Sequence, residues 1–147
     1  IANNGVMLKP RMLKEVKRLN KSIQKFDIEV LNSTVCSQET AKKVKKVLEN
    51  TVKYGTGKSL YSPHFSMAGK TGTAQESKSR GNHAFFISFA PFESPEIAVT
   101  VNIPYGYSST NAAVIAKNIY KYYYNQISLD YILNNSAHDV SDVRIGD

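Results

Sequence analysis

Ala84-Phe85-Phe86-Ile87-Ser88-Phe89-Ala90, followed beyond Pro91–Pro95 by Ile97-Ala98-Val99-Thr100-Val101-Asn102-Ile103, is the stretch that decides the fold. Both faces of the first run are largely apolar, as expected of a strand covered on two sides. In the second run the large residues fall on one face, the pattern of a half-buried strand. Pro91–Pro95 is short enough to turn the chain back on itself, so the two runs are predicted to form an antiparallel hairpin. Pro104 and Gly106 close this sheet region.

Outward from the hairpin the periods change. Downstream, Ser108 or Ser109 can cap a helix whose packed face is predicted as Ala112, Ile115, Ala116, Ile119 and Tyr123. Upstream, Ser66 to Ala74 forms a third strand. Before it, Ala41, Val44, Leu48 and Val52 recur at helical spacing between a Ser37 N-cap, with Glu39 in the first turn, and a Gly55 stop. The other face of that helix carries Lys42, Lys43, Lys45 and Lys46, which are expected to keep it solvated. Arg11–Leu19 and Phe26–Leu31 show a near period of two around a polar Asn20-Lys21-Ser22 turn, predicting a two-stranded ribbon. The order is ribbon, helix, three strands, helix, with no repeat. That predicts an α+β fold, an antiparallel sheet with helices packed on its faces. Residues 1–126 form this unit, and residues 127–147, where the pattern fades, are expected to be a loosely ordered tail.

The chain has 147 residues, the size of one ordinary domain with a core of its own. It opens at Ile1 without a basic-then-apolar leader and contains no apolar run long enough to cross a bilayer. Ile1-Ala2-Asn3-Asn4-Gly5 reads as the last turn of a helix stopped by glycine, so the chain is expected to start inside a larger fold. The single Cys36 cannot form an intramolecular disulfide and is expected to be a buried, inert thiol. A formal net charge of +7 points to an anionic neighbour, whether nucleic acid, acidic lipid or acidic cell-wall polymer.

The chemistry concentrates in Ala68-Gly69-Lys70-Thr71-Gly72-Thr73-Ala74-Gln75. On a strand edge this run presents an ammonium from Lys70 and hydroxyls from Thr71 and Thr73, with no side chain at Gly72 to obstruct approach. Such a set suits an extended peptide that bears a carboxylate: Lys70 supplies charge, the threonines donate hydrogen bonds, and the backbone accepts an added strand. The same run also reads as a glycine-containing strand whose polar residues face solvent.

Gly69-Lys70-Thr71-Gly72-Thr73-Ala74-Gln75 resembles the Lys-Thr-Gly element of the penicilloyl serine transferases, the family of penicillin-binding proteins and serine β-lactamases. Its surroundings agree: Ala2-Asn3-Asn4-Gly5-Val6 leading to Lys9-Pro10, Tyr54-Gly55-Thr56-Gly57, His83-Ala84-Phe85-Phe86 and Phe89-Ala90-Pro91. Together they look like the class B penicillin-binding proteins, the transpeptidases of division and elongation, with the division type preferred. The resemblance runs from Ile1 to about Gln126. It implies part of a β-lactamase/transpeptidase-like fold and a peptidoglycan D,D-transpeptidase that cross-links stem peptides by serine acyl transfer. By that resemblance Lys70 and Thr73 are the catalytic residues, Lys70 holding the active-site charge and the Thr73 N–H donating to the oxyanion. Thr71, Gly72, Thr73 and Gln75 then bind the substrate, a D-alanyl-D-alanine peptide or a β-lactam. The implied partners are division or other cell-wall synthesis proteins. The implied place is the extracytoplasmic face of the cell membrane, through an anchor that precedes this chain. No cofactor or metal is implied.

The family's nucleophilic Ser-x-x-Lys and its Ser-x-Asn motif lie upstream of Lys-Thr-Gly, so both are expected before Ile1. Ser22-Ile23-Gln24-Lys25 and Ser109-Thr110-Asn111 copy the letters without the context: Ser22 sits in the predicted turn, and Ser109 follows Lys-Thr-Gly. This chain alone is therefore expected to be inactive. Gly57-Lys58-Ser59 is not a phosphate loop, because Val52 stands where that motif needs glycine and Pro63 argues against a following helix. His83 fits a structural or substrate-edge role, since the family's base is a lysine. His64 and His138 have no ligand spacing to each other or to Cys36. Tyr105, Gly106 and Tyr107 border either the groove or a packed loop. Two other classes compete: a β-lactam sensor domain, which shares Lys-Thr-Gly, and a basic nucleic-acid module, for which no reader motif is present.

Overall fold

The computed structural model describes residues 1–19 and 21–139, with the side chains of 135–139 left aside. Asn20 of the predicted turn, the His138 side chain and residues 140–147 of the expected tail lie outside the described residues. The chain forms two compact units, Ile1–Val44 and Lys45–Asp147. No helix among the described residues is long and apolar enough to cross a membrane.

In the first unit β1 (Met7–Leu8) pairs antiparallel with β4 (Val30–Asn32), and β2 (Glu15–Arg18) pairs antiparallel with β3 (Lys21–Lys25). The ribbon therefore exists, but its second strand is Lys21–Lys25 and not Phe26–Leu31. Every residue of β3 is exposed. With no buried face, the spacing of apolar residues does not set the register. Ile1–Gly5 is a turn, in which Asn4 N donates to the Ile1 carbonyl at 3.0 Å. Gly5 holds φ +91°, and a Cβ there would stand 2.3 Å from the Cys36 carbonyl oxygen, so only glycine fits. Cys36 is a free thiol and half-buried.

Helix α1 (Gln38–Lys53) starts where its cap predicts: the Ser37 hydroxyl accepts the Thr40 N–H at 3.1 Å. Its buried residues are Ala41, Lys45, Glu49 and Val52, while Val44 and Leu48 are half-buried. Lys45, expected on the solvated face, is 7% exposed, with its ammonium 5.8 Å from the centroids of both Phe89 and Phe92. The aliphatic stem packs while the charge meets aromatic faces, an arrangement that hydrophobicity ranking does not foresee. Glu49 is 2% exposed and bridges Lys46 at 2.7 Å and Lys53 at 2.6 Å. Burial raises its carboxyl pKa, but the hydrogen bonds and charges of the two ammonium groups outweigh that and leave it below the usual carboxylate range.

The second unit holds the antiparallel sheet β5-β6-β7, made of Ala68–Ala74, His83–Ala90 and Ile97–Ile103, as the sequence predicts. Phe86 pairs with Thr71 on β5 and Val101 on β7, and these share a face. Helix α2 (Ser109–Tyr123) packs on the sheet, capped by the Ser108 hydroxyl, which accepts the Thr110 N–H at 3.3 Å. The core joins Phe86, Ala90, Val99 and Val101 of the sheet to Ala112, Ala113, Ala116 and Tyr120 of α2. The helix is thus rotated from its predicted face: Ile115 and Ile119 are each 38% exposed and Tyr123 is 46% exposed. Three alanines let the helix lie close to the sheet, and the one large ring between them fills the space. On the opposite face of β6, Phe89 is buried but Ile87 is 53% exposed, so the strand is covered on two sides only at its Phe89 end. A third helix, α3 (Leu129–Asp139), occupies the stretch where the sequence pattern fades.

Tyr120 is fully buried, and its hydroxyl meets the Ser88 hydroxyl at 3.0 Å, which in turn donates to the Val99 carbonyl at 3.2 Å. Burial pushes the Tyr120 phenol up to about 12. Because the folded pKa is raised, the stability this phenol contributes is complete below its ordinary value of 10.0 and is lost as pH rises through about 12. The loss should proceed at up to about 1.4 kcal/mol per pH unit. Tyr120→Phe is expected to cost about 1 kcal/mol at neutral pH and to flatten that alkaline decline. Urea unfolding at neutral and alkaline pH checks both; an equally steep decline in the variant contradicts the assignment.

Candidate active site

The residues singled out by the sequence all lie on β5 or one step past it. β5 pairs with β6 along one edge, and among the described residues no strand pairs with the other. An open edge presents unpaired backbone donors and acceptors to an incoming extended chain. Thr71 and Thr73 share the face of their partners Phe86 and Ala84, so strand alternation sends Lys70 and Gly72 to the opposite face with Ile87 and Phe85. The structure therefore does not stack Lys70 with the threonines on one face; the shared feature is the edge. Lys70 is exposed, and its Nζ donates to the Thr71 carbonyl at 2.6 Å, which returns the ammonium to the main chain of the strand.

Thr71 is half-buried and its hydroxyl lies 3.1 Å from that of Thr56. Thr56 belongs to the loop after α1, which is held in place at both ends. Gly57 N donates to the Thr51 carbonyl at 3.0 Å, and Lys117 of α2 donates to the Ser59 carbonyl at 2.6 Å. Burial, and then Lys121, lower the pKa of that ammonium. Only a three-residue 3-10 turn, Lys58–Leu60, follows Gly57, where a phosphate loop needs a full helix. Gly72 is half-buried, and a Cβ there would meet Phe85 at 3.4 Å, an ordinary contact. Thr73 and Gln75 are exposed.

His83 closes the β5–β6 ladder opposite Ala74. Its Nδ1 accepts the Tyr105 backbone N–H at 3.3 Å, so Nε2 carries the hydrogen and donates to Glu76 Oε2 at 3.3 Å. The Tyr105 hydroxyl donates to the same carboxylate oxygen at 3.1 Å and accepts from Arg80 at 2.9 Å. Gly106 is buried, and a Cβ there would sit 2.8 Å from Ile103 Cβ. Sequence reasoning gave no role to Glu76, Arg80 or Thr56. Glu76 and Arg80, with Lys78, make three charged residues in the short link between a motif strand and its partner, and Thr56 stands in the Tyr54-Gly55-Thr56-Gly57 stretch before the motif.

The other matches to catalytic motifs resolve as structure. Ser22 and Lys25 lie on the exposed strand β3, away from any helix start. Asn111 donates from its side-chain amide to the Gly106 carbonyl at 2.9 Å, in the first turn of α2. A cleft of about 670 Å³ lined by Arg11, Lys14, Glu15, Lys25 and Phe26–Ile28 belongs to the first unit and contains none of the site residues.

Comparison with known proteins shows the family. Residues 1–121 match the family model of the penicillin-binding protein transpeptidase domain. Stage V sporulation protein D of Bacillus subtilis is 34% identical over 128 residues, covering 80% of this chain and 20% of that protein. The peptidoglycan D,D-transpeptidase MrdA of Acinetobacter baumannii is 33% identical over 95 residues, covering 55% of this chain and 14% of that protein. Among solved structures, the D,D-transpeptidase domain of a peptidoglycan glycosyltransferase from Eggerthella lenta superposes with a TM-score of 0.72 at 32% identity, covering 82% of this chain and 28% of that one. The chain thus spans a fifth or less of these two curated relatives. With the family model matched over most of its length and the fold shared with a solved transpeptidase domain, the chain belongs to the penicillin-binding protein transpeptidase family.

Proposed function

We propose that this chain forms the Lys-Thr-Gly wall of a peptidoglycan D,D-transpeptidase whose serine nucleophile comes from a part of the protein upstream of Ile1. The observation that carries this reading is the open edge of β5, bearing Lys70, Thr71, Gly72 and Thr73, in a chain of this family. The substrate is a stem peptide ending in D-alanyl-D-alanine, and β-lactams compete for the same edge. Thr71 and Thr73 bind the terminal carboxylate, Gly72 lets the peptide backbone approach, and Gln75 hydrogen-bonds the extended ligand at the strand end. The upstream serine attacks the penultimate carbonyl, and the Thr73 N–H receives the developing oxyanion. The C–N bond then breaks and D-alanine leaves with the proton. An amine of a neighbouring stem peptide attacks the acyl-serine, forms the cross-link and releases the serine. Lys70, the one cation on this stretch of edge, stabilises the negative charge of this network and of the ligand carboxylate.

A protein doing this chemistry works outside the cell membrane, anchored by a segment outside this chain and in company with division or elongation proteins. The test is D-alanine release by the full-length protein from a pentapeptide ending in D-alanyl-D-alanine. Release at enzymatic rates supports the reading; none, with the protein folded, contradicts it.

A further inference from the structure

We infer that Arg80 reads an acidic group on the stem peptide, two or three residues before the scissile bond, and that Tyr105 positions it to do so. The inference rests on the transpeptidase reading and follows from the direction that reading gives the peptide. The terminal carboxylate sits at the Thr71 and Thr73 hydroxyls, and the scissile carbonyl, one residue back, sits at the Thr73 N–H. Moving upstream along the peptide therefore moves forward along β5, antiparallel to it. At about 3.4 Å per residue, the two residues before the D-alanine pair arrive opposite Ala74 and Gln75, where the link of residues 75–82 begins.

That link is held firmly. Glu76 accepts from the His83 ring at 3.3 Å and from the Tyr105 hydroxyl at 3.1 Å, while the Tyr105 N–H donates back to His83 at 3.3 Å. The rings of His83 and Tyr105 lie 4.9 Å apart. Tyr105 adopts φ +54°, a conformation that costs a non-glycine residue energy and persists here under these bonds. On the other side Tyr107 N donates to the Asn82 carbonyl at 3.0 Å, and a Cβ at Gly81 would come within 2.9 Å of the Tyr107 ring.

Arg80 is the member of this cluster left open. Its guanidinium lies 5.6 Å from the Tyr105 ring centroid and gives one N–H to the Tyr105 hydroxyl at 2.9 Å. Among the described residues it has no carboxylate within ion-pair distance. The nearby carboxylate, Glu76, is engaged by His83 and Tyr105 instead. A guanidinium has five N–H donors in a planar fork that matches a carboxylate, so most of its donors remain for a ligand. Orientation by a ring and a hydroxyl, with no ion pair to a carboxylate among the described residues, is what a carboxylate-reading arginine requires.

The experiment compares D-alanine release by the full-length protein from two peptides ending in D-alanyl-D-alanine. They differ only in carrying a free carboxylate or its carboxamide on the residue before the D-alanine pair or on the one before that. The wild type should favour the acid in kcat/KM by about tenfold to a hundredfold. Arg80→Ala should bring the ratio of the two close to one, Arg80→Lys should keep part of it, and Tyr105→Phe should reduce it by a smaller factor. Covalent labelling by fluorescent penicillin reports whether each variant retains a formed site. A wild type indifferent to the carboxylate, or Arg80→Ala that labels and keeps the full ratio, overturns the inference while the transpeptidase reading stands. If Arg80→Ala does not label, Arg80→Lys and Tyr105→Phe decide by the same ratio. A wild type that neither labels nor releases D-alanine from either peptide removes the reading itself, and this inference with it.

Discussion

Lys70→Ala in the full-length protein is expected to slow acylation by benzylpenicillin by about 10²–10³-fold, the loss seen when one transition-state donor is removed from an acyl-transfer site. The same change should leave folding nearly untouched, within about 0.5 kcal/mol. Lys70 is exposed, its one hydrogen bond is to the Thr71 carbonyl of its own strand, and no carboxylate among the described residues depends on it. A rate loss in a protein of unchanged stability therefore reports the chemistry of the edge. Quenched labelling time courses, with thermal unfolding measured in parallel, separate the two effects. A rate within about threefold of wild type, well short of the expected loss, contradicts the role given to Lys70.

Phe86→Ala should have the opposite signature, a large loss of stability of about 3–5 kcal/mol. Phe86 is fully buried at the centre of the sheet, paired with Thr71 on one side and Val101 on the other, beneath the alanine face of α2. Its ring also fills the space beside Gly69, where a Cβ would lie 2.6 Å from Phe86 Cζ. The α2 side chains packed in the same core include Ala112, Ala113 and Ala116, too small to fill a space the size of a phenyl ring, so the walls of the cavity lose contacts. With a domain held by about 5–15 kcal/mol, the variant should unfold at a much lower urea concentration. A loss under about 1 kcal/mol means the core collapses around the missing ring.

What the sequence made legible follows from how each feature is encoded. The hairpin of β6 and β7 and the strand β5 were readable because alternation and apolar runs report burial directly, and Ser37 because a cap is a local hydrogen bond. The packed faces of both long helices were harder. Ranking by hydrophobicity favoured Ile115, Ile119 and Tyr123, whereas the structure buries Ala112, Ala113, Ala116 and Tyr120. It passed over Lys45 and Glu49, whose burial depends on aromatic rings and ammonium partners. The ribbon register was not encoded in an apolar stripe, because neither face of β3 is buried. The Lys70–Gln75 edge was visible as a dense motif, and its meaning came from resemblance to a family. The Glu76–His83–Tyr105–Arg80 cluster joins residues 25 and 29 positions apart through a turn at positive φ, which no local pattern announces.

The most direct measurement is intact mass after incubation with fluorescent penicillin, made on this chain and on the full-length protein side by side. A single covalent adduct on the full-length protein, mapped upstream of Ile1, with none on this chain, is the expected result. An adduct on this chain itself, at Ser22, would contradict the division between a Lys-Thr-Gly wall here and a nucleophile upstream.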